Sequence, residues 1–495
     1  MSYYKSLNRT ERLLYLLAIA VILFGVVIRI VVWLQNRNLI IDEANIARNL
    51  YERDFGALTK PLSYEQYAPI FFLWVEKLTT ILFGFSEYAL KSYPLVCSFG
   101  VLIMLMLVLK EYVQLRIIWY PLMLFAGGFF FIRYSTEVKQ YMSDALVVLL
   151  VIYAALKISI TETETKKFVL NWLLIGALAI ISAMPSVFAL AGVGGYYFWQ
   201  CRESKKYSKI VPFALVAGIW IVEFGLYYIL LLRDQAHSQY LQNYHANFFL
   251  VATPTTAREF EHNWYVITEL ISLSSGYHAM AKLFNYSLLG LGSILLIYKN
   301  TRKGLLVVLP IFFTLVASAV NEFSLIPRVA LFMMPLFLVV IAYAIDVLMS
   351  LRPAFLKYVL GGLALLFGLM HVERKLLRQP FYNEEITRAM QLMKDNSVRG
   401  EQVNISHGSV PAFTYYTQIH PDKQRWFTLA GAQLRNWDAD WSKVAAEANG
   451  RFGALFTTVS RADAAQYRNK MLASAKMFAS IEDSTAKCYA YVLEK

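Results

Sequence analysis

Long apolar stretches recur along this chain from Leu13 to His371, and many of them are long enough to cross a lipid bilayer. A chain of this kind must satisfy its backbone hydrogen bonds inside helices, because the bilayer core holds no water. After His371 the apolar stretches stop and a segment of mixed composition follows. Of the 495 residues, 58% are hydrophobic and only 16% are charged. The sequence therefore predicts a polytopic α-helical membrane protein with a small soluble C-terminal domain.

Basic residues cluster in alternate short loops, which predicts that these loops and the N-terminus are cytoplasmic. This arrangement requires the apolar run Ala68 to Gly84 to lie along the outer surface, and its central Glu76-Lys77 suits an interfacial helix. With this interfacial segment excluded, the positive-inside rule predicts about eleven transmembrane helices in a domain that spans 1–371. The predicted spans are 13–34, 90–109, 117–132, 145–159, 168–183, 186–200, 210–232, 284–298, 304–320, 329–349 and 355–371.

The same topology assigns four loops and the whole tail to the outer face of the membrane. The main loops are 35–89, 133–144 and 233–283, the short loop is 321–328, and the tail is 372–495. Alternating patterns in the tail predict a small α/β domain. Its predicted strands are Gln402–Ser406, Arg425–Leu429, Ala454–Val459 and Cys488–Leu493, and its predicted helices are Asn383–Lys394, Trp441–Ala448 and Ala462–Leu472.

The net charge of +13 has its ordinary explanation in a membrane protein. Lys and Arg there fix orientation and bind anionic headgroups, so membrane lipids rather than nucleic acid are the expected partners. The three cysteines, Cys97, Cys201 and Cys488, are too few for a disulfide framework or a four-thiolate metal site. Charge and cysteine content therefore give no evidence for nucleic-acid binding or for a structural metal.

An adjacent acid pair, Asp42-Glu43, follows the first span directly. Asp42 could cap the amphipathic helix that comes after it, which is the structural alternative. Capping needs only one acid, however, and does not exclude chemistry. A charged site at the outer membrane surface is the functional interpretation of the pair.

Two further outer segments carry acids. Glu65 and Tyr67 precede Pro69 and the interfacial run, although the tyrosines there could belong to an interfacial aromatic belt. In the segment 133–144, Glu137, Tyr141 and Asp144 would share one face of a helix. That face could hold a cation or position a hydroxyl, or it could be a solvated helix start.

Arg328 opens a late predicted span at the outer interface, where a guanidinium can bind a lipid phosphate bidentately or make a general headgroup contact. The long loop 233–283 carries four histidines without compact metal-ligand spacing, which argues against zinc. They are His237, His245, His262 and His278. Together with its tyrosines and Trp264, this loop suggests an aromatic flap over a membrane substrate.

These residues together resemble the GT-C superfamily of integral-membrane glycosyltransferases. The resemblance rests on the Asp42-Glu43 pair, on the interfacial helix that ends Leu82-Phe83-Gly84, on the segment that begins Arg133-Tyr134-Ser135, and on Pro327-Arg328. The nearest branch is that of the protein O-mannosyltransferases and the lipid A aminoarabinose transferases, of the family 39 type. It implies a donor sugar on a polyprenyl phosphate at the outer leaflet, transferred with inversion.

The resemblance also implies roles for single residues. Asp42 would be the general base, Glu43 a supporting acid, and Glu137 or Asp144 the second outer-loop acid. Arg328 would bind the donor phosphate. Relatives of the aminoarabinose type carry Glu-Lys just before the proline, whereas this chain has Tyr67-Ala68 there. Lys60, Arg133 or Lys139 would have to supply the missing cation, and Glu65, Tyr67 and Tyr141 are the candidates for substrate contact.

The function expected from the sequence is an inverting transferase that moves a sugar from a polyprenyl-phosphate donor to a hydroxyl of a lipid, glycan or protein acceptor. The expected location is a bacterial inner membrane, with the active site and C-terminal domain on the periplasmic side. No cofactor is established, and a requirement for Mg²⁺ or Mn²⁺ stays open. The alternatives are a transporter or flippase for a lipid-linked sugar and an oligosaccharide transferase. The transporter alternative predicts paired, broken spans in two related halves, and the sequence shows no such repeat.

Overall fold

The computed structural model of the protein describes residues 7–233, 238–276, 278–351, 355–372 and 383–495. Helices dominate it. In chain order, the α-helices are α1 (Arg9–Leu34), α2 (Ile41–Glu52), α3 (Ile70–Phe83), α4 (Glu87–Tyr112), α5 (Leu115–Gly127), α6 (Phe129–Tyr134), α7 (Tyr141–Lys157), α8 (Thr165–Ser182), α9 (Ser186–Glu203), α10 (Ile210–Tyr227), α11 (Gln239–His245), α12 (Ala257–Ser275), α13 (Ala279–Lys299), α14 (Thr301–Ala319), α15 (Met333–Met349), α16 (Phe355–His371), α17 (Ile386–Asp395), α18 (Val410–Thr414), α19 (Trp441–Glu447) and α20 (Arg461–Leu472).

The chain divides into two compact units. The membrane unit consists of Met1–Val31, Tyr67–Phe72 and Pro94–Leu377. The loop-and-tail unit consists of Val32–Gln66, Leu73–Tyr93 and Arg378–Lys495. Most of the first outer loop thus belongs to the same compact unit as the tail. The domain boundary at 371–372 stays a prediction.

The polytopic helical fold class is confirmed, and most predicted spans coincide with one helix. The predicted span 117–132 is instead divided between α5 and α6, which are separated at Gly128, and the helix in 329–349 begins only at Met333. Among the described residues, six helices are long and apolar enough to cross a membrane, namely Arg9–Leu34, Glu87–Tyr112, Thr165–Ser182, Tyr207–Leu232, Ala279–Lys299 and Thr301–Ala319. Three shorter apolar helices are α5, α15 and α16. The predicted interfacial run forms α3, whose 14 residues are fewer than the roughly 20 that a span needs. The number of spans and their orientation remain predictions.

Arg29 shows how a buried cation is accommodated inside the membrane unit. Its side chain is fully buried in α1 and donates hydrogen bonds to the carbonyls of Phe125 at 2.9 Å, Ala126 at 2.9 Å and Gly25 at 3.0 Å. Phe125 and Ala126 lie in the last turn of α5, where carbonyls have no partner within the helix. Arg29 therefore closes a helix end in a region where water cannot do so.

The tail folds as the predicted α/β domain around a five-stranded sheet. The strands are β1 (Val403–Ile405), β2 (Gln433–Leu434), β3 (Arg451–Phe456), β4 (Lys476–Asp483) and β5 (Cys488–Glu494). Their order is β2-β1-β3-β5-β4, with β2, β1 and β3 parallel and the two remaining pairings antiparallel. The interior strand β5 is buried almost throughout, whereas the edge strand β4 alternates between partly buried and exposed residues, as an edge strand with one packed face should.

One predicted strand of the tail is wrong. Arg425–Leu429 lies within a 3-10 helix, Lys423–Leu429. Trp426 and Leu429 are buried while Phe427 is 81% exposed, so the apolar contacts recur every three residues rather than every two. A spacing of three matches the 3-10 helix and cannot place these side chains on one face of a strand.

Candidate functional site

Glu43 is buried completely in the first turn of α2. The Arg37 guanidinium binds its carboxylate with both nitrogens, Nη1 to Oε2 at 2.6 Å and Nη2 to Oε1 at 2.8 Å. Oε2 also accepts the Ile40 N–H at 2.9 Å, and the Arg37 carbonyl accepts a hydrogen bond from Lys91 Nζ. Burial alone would raise the pKa of Glu43, but Arg37 outweighs it and the pKa is lowered. Glu43 is thus an ionised acid that holds the start of the helix.

Asp42 differs from its neighbour in exposure and in partners. It is only partly buried, and Gln66 Nε2 approaches its Oδ1 at 3.4 Å. The capping alternative is wrong for this acid, because the N-cap residue of α2 is Ile40 and Asp42 is the second helical residue. A carboxylate in the first turn is stabilised by the helix dipole without acting as a cap. Of the two acids, Asp42 is therefore the one that the fold leaves accessible.

The loop after α2 brings Gln66 to Asp42 through an unusual backbone. Tyr64 and Glu65 both adopt positive φ, at 66° and 53°. Tyr64 is secured by Arg48, whose guanidinium lies 3.8 Å from the ring centroid and donates to the hydroxyl at 2.7 Å. Non-glycine residues enter this region at a cost, and two in succession indicate a loop determined by its contacts. Glu65 is exposed, so the loop presents Gln66 rather than Glu65 to Asp42.

Within the membrane unit, Tyr67 and Asp144 are neighbours. The Tyr67 hydroxyl lies 3.3 Å from that of Tyr227. Burial raises the pKa of Tyr67 well above its usual value, and Tyr227 and Asp144 raise it further. Asp144 is itself buried in α7, and its Oδ1 has no hydrogen-bond partner among the described residues. A buried carboxyl oxygen in this state is a candidate for binding substrate or water.

The predicted helix through Glu137 and Asp144 is interrupted. α6 ends at Tyr134, residues 135–140 form turns, and α7 begins at Tyr141. Glu137 therefore lies in a turn, where its carboxylate is 3.8 Å from Arg133 Nε. Lys139 is also buried in this turn, and its backbone N–H donates to the Glu137 carbonyl at 2.7 Å. The common helical face predicted for Glu137, Tyr141 and Asp144 does not exist.

Tyr134 is nevertheless influenced by three charged residues of this region, because the charges of Arg133, Glu137 and Arg328 all shift its pKa. Burial raises the pKa of Tyr134 to about 12, Glu137 raises it further, and Arg133 and Arg328 lower it. Tyr141 packs edge-on against the Tyr134 ring, with 5.4 Å between the centroids. The membrane unit thus gathers two guanidiniums, an acid and two tyrosines from separate segments.

Arg328 is contacted by a residue of the long loop 233–283. Its Nη2 donates to the Tyr244 hydroxyl at 3.0 Å. Burial and the nearby Arg328 charge lower the pKa of His245 to about 4, so this histidine is neutral at physiological pH. The predicted aromatic loop therefore contacts the proposed phosphate-binding arginine. Lys60, by contrast, is exposed in the loop-and-tail unit.

No cluster of three or more His, Cys, Asp or Glu side chains is placed to hold a metal within the described ranges. His237, one of the four loop histidines, lies outside the described residues. A requirement for a divalent cation therefore remains an open prediction.

The membrane unit also contains an apolar cavity of about 700 Å³. Residues of α8, α9 and α10 line it, including Phe188, Trp220 and Gly225. Its polar edge is formed by Tyr228 and Glu322, joined by a 3.1 Å hydrogen bond. The cavity has the volume and lining suited to a hydrocarbon chain.

The comparisons with known structures define the class of fold first. No protein-family model and no curated protein sequence matches the chain. Solved structures share the fold of this chain along almost its whole length, which confirms the predicted resemblance at the level of the fold.

Two of the solved structures that match are of ArnT from Cupriavidus metallidurans. The apo state matches with a TM-score of 0.52 and 12% identity, over 96% of this chain and 97% of that one. The structure of the same protein bound to undecaprenyl phosphate matches with a TM-score of 0.51 over the same shares, again at 12% identity. At this identity the likeness concerns the fold, and function has to be argued from the site.

Sequence reasoning missed several residues that shape the site. Gln66 and Tyr227 are single polar residues without a motif, and neither gave a signal. Glu384 and Glu385, an adjacent acid pair like Asp42-Glu43, were detectable as charged residues, but only the fold reveals what they contact.

Proposed function

We propose that this protein is a polyprenyl-phosphate-dependent glycosyltransferase that acts with inversion at the outer face of a bacterial inner membrane. The observation that carries the proposal is the match to ArnT along almost the whole chain, including a structure with undecaprenyl phosphate bound. The acceptor is a hydroxyl of a lipid, glycan or protein. Fold alone does not establish activity, so the local chemistry must support the proposal independently.

Asp42 has the properties of a general base. It is partly exposed in the first turn of α2, and its neighbour Glu43 is bound by Arg37. In the proposed reaction its carboxylate takes the proton from the acceptor hydroxyl, whose oxygen forms a bond to the anomeric carbon. The bond from that carbon to the phosphate oxygen breaks, and polyprenyl phosphate leaves with the electron pair. A single displacement of this kind needs one base and no covalent enzyme intermediate.

The leaving phosphate requires cations, and the membrane unit supplies candidates in Arg133 and Arg328. A guanidinium can bind a phosphate with two parallel hydrogen bonds and stabilise the charge that develops on it. The apolar cavity could hold part of the lipid chain, because isoprenoid carbons are buried favourably against apolar walls. Lys139 and Lys60 are further candidates, the latter less suited by its exposure.

The test is complementation in a strain that lacks the gene. The deletion should accumulate a polyprenyl-phosphate sugar and lose one glycoconjugate, both detected by mass spectrometry. Wild-type protein should reverse both changes, whereas Asp42→Asn should express normally and reverse neither.

A matched control is available on the same loop. Asp54 is exposed, and its Oδ1 accepts the Ala57 N–H at 2.7 Å, a role that asparagine can also fill. Asp54→Asn should therefore complement fully. Full complementation by Asp42→Asn would refute the assignment of the base, and a deletion without either lipid or glycan change would favour a transporter or a binding protein.

A further inference from the structure

The backbone immediately before Asp42 is held by side chains rather than by secondary structure. The N–H of Ile40 donates to Glu43 Oε2 at 2.9 Å. The N–H of Ile41 donates to Glu384 Oε2 at 2.8 Å, across 343 positions of sequence. These are two of the amides that a helix start leaves without an internal partner.

The two preceding amides are bound in the same way. The N–H of Asn38 donates to Glu385 Oε1 at 3.2 Å, and the N–H of Leu39 donates to the Tyr416 hydroxyl at 3.2 Å. The contact at Asn38 is reciprocal, because its Oδ1 accepts the Thr387 N–H at 2.8 Å. Four consecutive N–H groups thus have side-chain acceptors, and three of these acceptors come from the C-terminal domain.

The acceptors are themselves buried and fixed. Glu384 is 6% exposed, Glu385 4% and Tyr416 2%. The Tyr416 hydroxyl donates in turn to Glu87 Oε1 at 2.7 Å, and His420 Nε2 lies 2.9 Å from the other oxygen of that carboxylate. Loss of an acceptor here would leave unpaired an amide that is buried at Asn38, Leu39 and Ile40 and partly buried at Ile41, and an unpaired backbone amide away from water costs free energy.

We propose that Glu384 is a positioning residue for Asp42, and that through it the C-terminal domain sets the orientation of the helix start on which the general base sits. The inference rests on the proposed function of Asp42. Glu384 contacts no reacting atom; it binds the amide of Ile41, the residue next to Asp42. The domain would therefore serve the reaction without contributing a catalytic group.

Two properties of Glu384 support this role. Its φ of 55° is in the left-handed region, which a non-glycine residue adopts when its surroundings require it. Burial raises its pKa to about 7, with Asp42 and Glu43 adding to the effect and the Ile41 N–H and Lys487 opposing it. Glu384 is thus a carboxyl whose charge, next to Asp42, changes near neutral pH.

The experiment compares Glu384→Ala with Glu384→Gln in the full-length protein. Two quantities are measured: hydrogen–deuterium exchange of the peptide 38–45, and kcat and KM for the polyprenyl-phosphate sugar identified in the deletion strain. Glu401→Ala is the matched control, since Glu401 is an exposed glutamate of the same domain.

Glu384→Ala should increase exchange in 38–45 and lower kcat by roughly ten- to a hundredfold, the scale expected for a misplaced catalytic group, with KM nearly unchanged. Glu384→Gln keeps an acceptor for Ile41, so it should restore protection and most of kcat. In the wild type, ionisation of Glu384 should give the pH profile of kcat an inflection near pH 7. Glu384→Gln should remove this inflection, whereas loss of a merely structural residue would leave it in place.

The inference is overturned if Glu384→Ala matches Glu401→Ala in exchange, or if exchange rises while kcat stays at the control value. Exchange is read without turnover, so it reports on the contact even if the reaction is another one. Failure of the proposed function appears separately, as complementation by Asp42→Asn.

Discussion

The buried pair of Arg37 and Glu43 allows the structural role of one acid to be separated from the catalytic role of the other. Glu43→Gln preserves size and an acceptor for the Ile40 N–H, but it removes the charge that two guanidinium nitrogens bind at 2.6 and 2.8 Å. Both side chains are almost inaccessible, at 3% and 0% exposure. Breaking such a pair by removing one partner costs about 3–5 kcal/mol, because the remaining charge is buried without compensation.

A matched exposed pair on the same helix provides the control. Arg48 and Glu52 are 3.8 Å apart, and Glu52 is 43% exposed. Glu52→Gln should cost less than about 1 kcal/mol, as surface pairs do. Because the chain has two compact units, a single melting temperature is a poor measure of local stability. Hydrogen exchange of the peptides covering 37–52 reports the local opening free energy directly.

The expected result is that Glu43→Gln raises the exchange rate of 37–52 by roughly two to three and a half orders of magnitude, at about 1.4 kcal/mol per factor of ten. Arg37→Met combined with Glu43→Gln removes the orphaned cation and should recover much of the protection. If the double variant also recovers turnover, Glu43 is structural; if it stays inactive, Glu43 takes part in the chemistry. Equal exchange in Glu43→Gln and Glu52→Gln would refute the reasoning.

The same pair has a pH signature. Arg37 lowers the pKa of Glu43 in the folded state in spite of the burial that raises it. A lowered folded pKa stabilises the protein fully above the unfolded value of about 4.3 and loses that contribution as the pH falls through the folded pKa. The difference in exchange between wild type and Glu43→Gln should therefore be largest near neutrality and shrink in acid.

Two further predictions concern residues other than Asp42 and its immediate neighbours. Neither carboxyl oxygen of Glu76 has a hydrogen-bond partner among the described residues, and burial raises its pKa well above the usual value. Glu76→Met should therefore stabilise α3 locally by about 1–3 kcal/mol, measured as slower hydrogen exchange of the peptides covering 70–83, and unchanged or faster exchange would contradict this. Gly225 lines the apolar cavity and Gly218 of the same helix does not, and a Cβ at either meets nothing within 4 Å. Gly225→Leu should raise KM for a long-chain donor several-fold and leave a short-chain analogue unaffected, while Gly218→Leu changes neither; equal effects on both donors would exclude the cavity as the chain site.

Much of the fold was predictable because its signals are local. Membrane-length apolar runs and the distribution of basic loops indicate where helices lie, and every predicted span except 117–132 overlaps a single long helix. The break between Tyr134 and Tyr141 was not predictable in this way. The residues there have no proline or glycine, and the turn is held by contacts such as Arg133 to Glu137. Spacing alone therefore assigned Glu137 and Asp144 to one helical face that does not exist.

The acid pair shows the same limit more sharply. Sequence identifies Asp42-Glu43 as a candidate site, yet adjacent acids at a helix start are indistinguishable by pattern. The fold separates them, since Arg37 binds Glu43 and Gln66 approaches Asp42. The residues that hold this segment, Glu384 and Tyr416, lie more than 340 positions away, beyond the reach of any local pattern.

Ala68 stands before Pro69, at the position where the relatives of the aminoarabinose type carry a lysine. Ala68 carries no charge and is only 5% exposed, so this position cannot bind a phosphate as a lysine would. Arg133 and Arg328 both lower the pKa of Tyr134, so their guanidiniums act on the same place in the membrane unit. Two cations near one tyrosine are candidates for binding one phosphate, and a guanidinium binds phosphate with defined geometry, whereas a lysine acts as a point charge. We therefore expect the donor phosphate to be bound by an arginine pair, and the substitution at Ala68 to mark a change in how this chain recognises phosphate rather than a loss of recognition.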